Sequence, residues 1–155
     1  MYVDSRSRAT EDIDVITERF DEGTADELTK RLQEAGYWGS AMPLDDLYGT
    51  LADDLPTRIA EDRHRVPNVE LKFASDESDR ISLDNAISVR LGGETLRVSS
   101  LEFQIAYKPD MGARKDYEDA LCLHEVAEPG LNGTALERYV TKLGVEDEYE
   151  QLRRS

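Results

Sequence analysis

The chain has 155 residues, enough for one domain with a substantial core, and its 34 acidic and 19 basic side chains give a formal charge of −15. No apolar run approaches the length of a membrane span, and no apolar segment follows a basic start, so the sequence predicts a cytoplasmic protein without a secretory signal. This acidity excludes a broad DNA- or RNA-binding face, which needs clustered Lys and Arg, but it leaves room for a small nucleotide site.

The kind of charge is also informative. Aspartate is abundant, and lysine is much rarer than arginine. In concentrated potassium salt the Debye length falls to about 3 Å at 1 M, which screens the repulsion of such a surface. We therefore expect a salt-adapted source, such as a halophilic archaeon, with an ordinary acidic protein as the alternative. Cys122 is the only cysteine, which excludes an internal disulfide and a cysteine-based zinc site.

An alternating strand is predicted over residues 10–17. Asp12 and Asp14 lie on one face of it, and the β-branched Ile13 and Val15 lie on the other. Burying two like charges side by side is unfavourable because they repel each other and lose their hydration. A nearby cation usually neutralises such a pair. The pattern therefore predicts a divalent-metal site, with a solvated edge strand as the alternative.

A helix, a turn-rich connection and a second alternating strand follow. Thr24 is the predicted N-cap of a helix that Gly36 ends, and Glu27 completes a capping box. Residues 43–51 predict a short helix, and a polar connection interrupted by prolines then leads to Asn68.

Glu70 is the third carboxylate of interest. It lies in the alternating segment 69–73, on the face opposite the apolar side chains of that segment. If this strand neighbours the strand of Asp12 and Asp14 in one sheet, three carboxylates share a surface. Such a cluster suits one or two Mg²⁺ ions that also carry phosphate oxygens.

The second half of the chain is predicted to be mainly helical. Residues 76–79 are expected to form a solvated loop, and residues 87–98 a β-hairpin that turns at two glycines. Helices should follow in four segments: one capped by Ser99 or Ser100 and ended by Pro109, then 113–126, 134–143 and 146–152. We expect a single α+β domain, with an α/β core over residues 1–98 and a helical part over residues 99–155 packed on it.

Several segments resemble one known family in order along the chain. Arg8-Ala9-Thr10-Glu11-Asp12-Ile13-Asp14 is similar to the first motif of nucleotidyltransferase-fold proteins of the minimal and AbiEii-type families. Val69-Glu70-Leu71-Lys72 resembles the later strand that carries their third acid. Ser100–Lys108 and Arg114–Asp119 resemble a further motif, in which a lysine is followed by Lys-Asp-x-x-Asp. The resemblance covers about residues 8–126.

This resemblance implies a nucleotidyltransferase-like mixed sheet with helices packed on one side. It implies that Asp12, Asp14 and Glu70 hold Mg²⁺ or Mn²⁺ and are the catalytic carboxylates. The substrate contacts that it implies come from Arg8, Thr10, Lys108, Lys115 and Asp116. The alternative is a purely structural role, with Lys108 as a cation at a helix C-terminus and Asp116 as an acid in the first turn of a helix.

The implied reaction transfers a nucleoside monophosphate from a nucleoside triphosphate to a hydroxyl of a protein or RNA. A toxin-like role, with an antitoxin as partner, belongs to the same expectation. One departure matters: the family's Gly-Gly or Gly-Ser phosphate turn has no counterpart in residues 1–11. Either the true start of the protein lies upstream of Met1, or the chain is shortened at its N-terminus and has lost this phosphate turn. The alternatives are a catalytically inactive nucleotidyltransferase-fold binding or regulatory protein, and an unrelated halophilic α+β protein without an active site.

Overall fold

The computed structural model describes residues 11–155, so the predicted substrate residues Arg8 and Thr10 lie outside the described part of the chain. Helices occur together with parallel and antiparallel strand pairs, which confirms the α+β class and the mixed sheet. The chain divides into two compact units, and the boundary along the sequence lies between Ser75 and Asp76. The sequence-based division after residue 98 stays a prediction.

The first unit is built on a four-stranded sheet with the strand order β1-β4-β3-β2. β1 and β4 run parallel, and the other two neighbouring pairs are antiparallel. The strands are β1 (Asp12–Thr17), β2 (Tyr37–Gly39), β3 (Thr57–Glu61) and β4 (Asn68–Phe73). The structure confirms the two strands predicted from alternation. It also shows two strands that were not predicted: β3 lies within the connection predicted between residue 51 and Asn68, and β2 lies between the two predicted helices of this part.

Helices cover one face of this sheet. Helices α1 (Glu22–Glu34) and α2 (Leu47–Ala52), with a turn of 3-10 helix before α2, contribute to a core with β3 and β4. The buried side chains of this core are Ala25, Leu44, Leu47, Leu51, Ile59, Leu71 and Phe73. Because residues alternate along a strand, burial of Leu71 and Phe73 directs Glu70 of β4 to the opposite face. The register with β4 places Asp14 on that face too. Ile13 and Val15 lie on the helix side but stay exposed, so β1 is not the buried strand that its apolar residues predict.

The start of α1 differs from the prediction. Asp21, and not Thr24, is the N-cap, and its Oδ1 accepts a hydrogen bond from the Thr24 backbone N–H at 2.8 Å. Phe20 precedes the cap and packs edge-to-face against Phe73, which fixes where the chain turns into the helix. Hydrogen bonds from the Thr24 backbone and side chain hold the pKa of Asp21 below its ordinary value.

The second unit contains a hairpin and five helices. The predicted hairpin is confirmed as β5 (Ile87–Leu91) and β6 (Glu94–Val98). The helices are α3 (Glu77–Asp84), α4 (Leu101–Asp110), α5 (Arg114–Ala127), α6 (Gly133–Leu143) and α7 (Glu146–Arg154). The four helices predicted after the hairpin are confirmed, and Ser100 is the cap of α4. The prediction that Pro109 ends α4 was wrong, since the helix includes Pro109 and continues to Asp110. Their core includes Phe103, Ile105, Ala106, Leu136, Tyr139 and Val140.

Helix α3 corrects the predicted solvated loop over residues 76–79. Asp76 is its N-cap and accepts a hydrogen bond from the Asp79 backbone N–H at 2.8 Å. Asp79 itself is buried. An acidic run therefore serves here as a helix start, where carboxylates are favoured by the free N–H groups of the first turn.

No helix within residues 11–155 combines the length and the apolar character that crossing a lipid bilayer requires.

Candidate functional site

A row of charged side chains crosses the face of the first sheet opposite α1 and α2. The parallel register pairs Asp12 with Asn68 and Asp14 with Glu70. On the other side of β4, Arg58 is paired with Glu70. Paired residues point to the same face, and neighbouring strands are about 4.7–4.9 Å apart. The structure therefore brings Asp14 and Glu70 side by side, with Asp12 two residues away on the same face.

Glu70 forms an ion pair with Arg58. Its Oε2 accepts a hydrogen bond from Arg58 Nε at 3.0 Å, with the Glu70 side chain 25% and the Arg58 side chain 52% exposed. The guanidinium offsets the repulsion between the neighbouring carboxylates of Asp14 and Glu70. Sequence reasoning missed Arg58 because its place beside Glu70 depends on strand β3, which the sequence pattern did not reveal.

Asn68 positions Asp12. Its amide Nδ2 donates to Asp12 Oδ1 at 2.7 Å and to the backbone carbonyl of Arg65 at 3.3 Å. These two acceptors fix the orientation of the amide. Asn68 is only 5% exposed, and within residues 11–155 no hydrogen-bond donor reaches its buried Oδ1. A buried acceptor of this kind is normally completed by a protein donor or an ordered water.

The three predicted acids fit a metal in chemistry but are not assembled around one point. Carboxylate and amide oxygens are the ligands that Mg²⁺ and Mn²⁺ prefer. No group of three His, Cys, Asp or Glu side chains in the described part of the chain stands close enough together to hold a metal ion. Binding through all three carboxylates therefore requires Glu70 to turn away from Arg58.

An open depression of about 550 Å³ adjoins Asp12 on this unit. Two arginines, Arg58 and Arg65, contribute to its lining together with Ser40 and Asn68. Glu11 and Asp12 supply two carboxylates. The depression thus contains equal numbers of positive and negative side chains.

The remaining predicted residues belong to the second unit. Lys108 lies near the end of α4, and its Nζ is 3.5 Å from Oδ2 of Asp119 on α5. Lys115 and Asp116 lie in the first turn of α5. These positions agree with the purely structural alternatives for Lys108 and Asp116. The substrate role of these residues stays a prediction.

Comparison with known proteins adds no family. A scan against protein-family models and a search of curated proteins each gave no match to this chain. The nucleotidyltransferase assignment therefore stays a prediction that depends on the motif resemblance.

Proposed function

We propose that this chain is a metal-dependent nucleotidyltransferase with a nucleotidyltransferase-like fold. It would transfer a nucleoside monophosphate from a nucleoside triphosphate to a hydroxyl of a protein or RNA acceptor. The observation that supports the proposal most is the parallel pairing of β1 with β4, which sets Asp14 beside Glu70. A toxin-like role with an antitoxin partner belongs to the same proposal.

Asp12, Asp14 and Glu70 would hold Mg²⁺ or Mn²⁺. When bound, such an ion neutralises phosphate charge, lowers the pKa of the attacking hydroxyl and stabilises the pyrophosphate leaving group. Asn68 holds one oxygen of Asp12 in place, which leaves the second oxygen of that carboxylate for the ion. The acceptor oxygen bonds to the α-phosphorus as the bond to pyrophosphate breaks, and the hydroxyl proton passes to solvent. Lys108, Lys115 and Asp116 remain the proposed substrate contacts of the second unit.

The test is transfer from labelled nucleoside triphosphates, with Mg²⁺ or Mn²⁺, in a series of potassium chloride concentrations. Candidate acceptors are total cellular RNA and total cellular protein. We expect Asp12→Asn combined with Asp14→Asn to abolish transfer. The matched control is Asp26→Asn with Asp53→Asn, which makes the same change of charge at two exposed positions away from the site. Transfer that survives in the first double variant would refute the proposal.

The second candidate is a catalytically inactive binding or regulatory protein with the same fold. The observation that favours it is the engagement of Glu70 by Arg58, together with the lack of an assembled three-acid group within residues 11–155. Calorimetry with ATP and Mg²⁺ separates the two candidates. Binding of the nucleotide without transfer to any acceptor supports the inactive protein, and transfer that depends on the aspartates supports the enzyme.

A further inference from the structure

The depression beside Asp12 contains charges of both signs. Its guanidinium groups come from Arg58 and Arg65, and its carboxylates from Glu11 and Asp12. A bare anion would meet the two carboxylates, and a bare cation would meet the two guanidinium groups. A metal–phosphate complex offers both charges at once and compensates both kinds of side chain.

We infer that this depression binds the phosphate groups of a metal-complexed nucleotide, with Arg58 and Arg65 as the phosphate-contacting residues. The inference rests on the proposed function for the identity of the ligand as a nucleotide. The phosphate site itself follows from the residues of the depression.

Arg65 is the stronger of the two candidates. Within residues 11–155 it forms no ion pair, although the chain carries 34 acidic side chains. A guanidinium presents several N–H donors in a planar fork, which matches two oxygens of one phosphate. The position of Arg65 is fixed at its backbone, since its carbonyl accepts a hydrogen bond from the buried Asn68 amide.

Asn68 fixes one of the two carboxylates of the depression. The residue contributes to the lining of the depression and is 5% exposed. Its Oδ1 finds no donor in the part of the chain that the structure describes. This oxygen is sealed from solvent, so a ligand in the open depression does not reach it. Asn68 acts instead through its Nδ2, which donates to Asp12 Oδ1 and orients the carboxylate that would carry the ion.

Arg58 would exchange one partner for another. In the structure its Nε donates to Glu70 Oε2. When Glu70 turns toward a metal ion at Asp12 and Asp14, the guanidinium loses that acceptor and becomes available to a phosphate oxygen. Without a ligand, Glu70 thus occupies the place on Arg58 that a phosphate oxygen would take.

Calorimetric titration with inorganic tripolyphosphate tests the phosphate site without a transfer reaction. The wild-type chain should bind tripolyphosphate more tightly with Mg²⁺ than without it. Arg65→Gln should weaken binding about tenfold or more, as expected for the loss of a charge-assisted contact. Arg63→Gln is the matched control because Arg63 is 90% exposed, lies two residues away and pairs with its neighbour Asp62. The fluorescence of Trp38, whose indole N–H donates to the His64 carbonyl, verifies that each variant keeps the local structure.

Several outcomes would overturn the inference. They are no binding of tripolyphosphate to the wild-type chain, equal affinities for Arg65→Gln and Arg63→Gln, and binding that is indifferent to Mg²⁺. The proposed transferase fails separately. If tripolyphosphate binding depends on the arginine but no transfer is detected, the phosphate site is supported and the transferase is refuted. If Arg65→Gln transfers nucleotide with the wild-type KM, the transferase is supported and the phosphate site is refuted.

Discussion

Replacing Arg58 with glutamine removes the cation beside two neighbouring carboxylates. Glu70 then keeps Asp14 as its cross-strand neighbour on β1 and loses its partner on β3. Replacing Glu70 with glutamine instead removes both the ion pair and the repulsion with Asp14. The two single substitutions therefore break the same ion pair but should not have the same effect on stability.

The expected magnitudes follow from exposure. The Arg58–Glu70 pair joins atoms 3.0 Å apart with side chains 52% and 25% exposed, and exposed pairs contribute about 0.2–1 kcal/mol. Like charges on directly opposite strand positions cost a similar amount. Arg58→Gln should lower the free energy of unfolding by about 1 kcal/mol. In Glu70→Gln the loss of the ion pair and the relief of the repulsion with Asp14 should nearly cancel, so the free energy of unfolding should change little. For a chain of this length, 1 kcal/mol corresponds to a Tm change of about 2–4 °C.

Thermal unfolding followed by the fluorescence of Trp38 measures these differences, since Trp38 is the only tryptophan and lies on β2 of the same sheet. Addition of Mg²⁺ should raise the Tm of Arg58→Gln more than that of the wild type, because the ion replaces the lost positive charge. Rising potassium chloride should reduce all of these differences by screening. An equal or larger loss for Glu70→Gln would show that Asp14 and Glu70 do not repel each other across β1 and β4, and the shared carboxylate surface would be refuted.

Four further changes probe the fold. Leu51→Ala, in a side chain with no exposed surface, should cost about 2–5 kcal/mol in urea unfolding, and a loss below 1 kcal/mol would contradict the assigned core. Gly39→Ala would bring a Cβ within 1.9 Å of the Met42 carbonyl oxygen, so its Tm should fall well below that of Gly130→Ala, where no atom lies within 4 Å. Asp76→Ala should cost about 1 kcal/mol by chemical unfolding while Asp76→Asn stays near wild type, because the asparagine still caps α3. The lowered pKa of Asp21 implies stabilisation that is complete above the ordinary carboxyl pKa and lost as pH falls through the lowered value. Acid unfolding of Asp21→Asn should lack that contribution, and identical acid limbs for variant and wild type would contradict it.

Strands β1 and β4 were predictable because each alternates β-branched or large apolar residues with charged ones. That alternation also identified which face of each strand carries Asp14 and Glu70, and the observed pairing agrees with it. The hairpin was equally clear, since two glycines separate two alternating segments and both adopt positive φ.

Strand β3 was not predictable from its own residues. Its five residues, Thr57–Glu61, include one large apolar side chain, and β2 has only three residues. Both strands are stabilised by their neighbours in the sheet rather than by a pattern of their own. The position of Arg58 beside Glu70 depends on that pairing, so it could not be read before the sheet was known.

The predictions for the starts of two helices were wrong for a related reason. Asp21 and Thr24 are both good capping residues, and the cap observed is Asp21, which follows the Phe20 that packs against Phe73. In the second unit, Asp76 and Asp79 looked like solvated charge, although one is a cap and the other is buried. Local composition does not distinguish a surface loop from the first turn of a short helix.

The distance along the chain between β1 and β4 has a consequence for protein synthesis. Both aspartates leave the ribosome before their neighbour Glu70, which is added more than fifty residues later. A nascent chain or a proteolytic fragment that ends before Asn68 carries the acidic pair but has no strand to set beside it. Any chemistry that needs Asp14 and Glu70 together therefore begins only once translation has passed Phe73 and the parallel pair has formed.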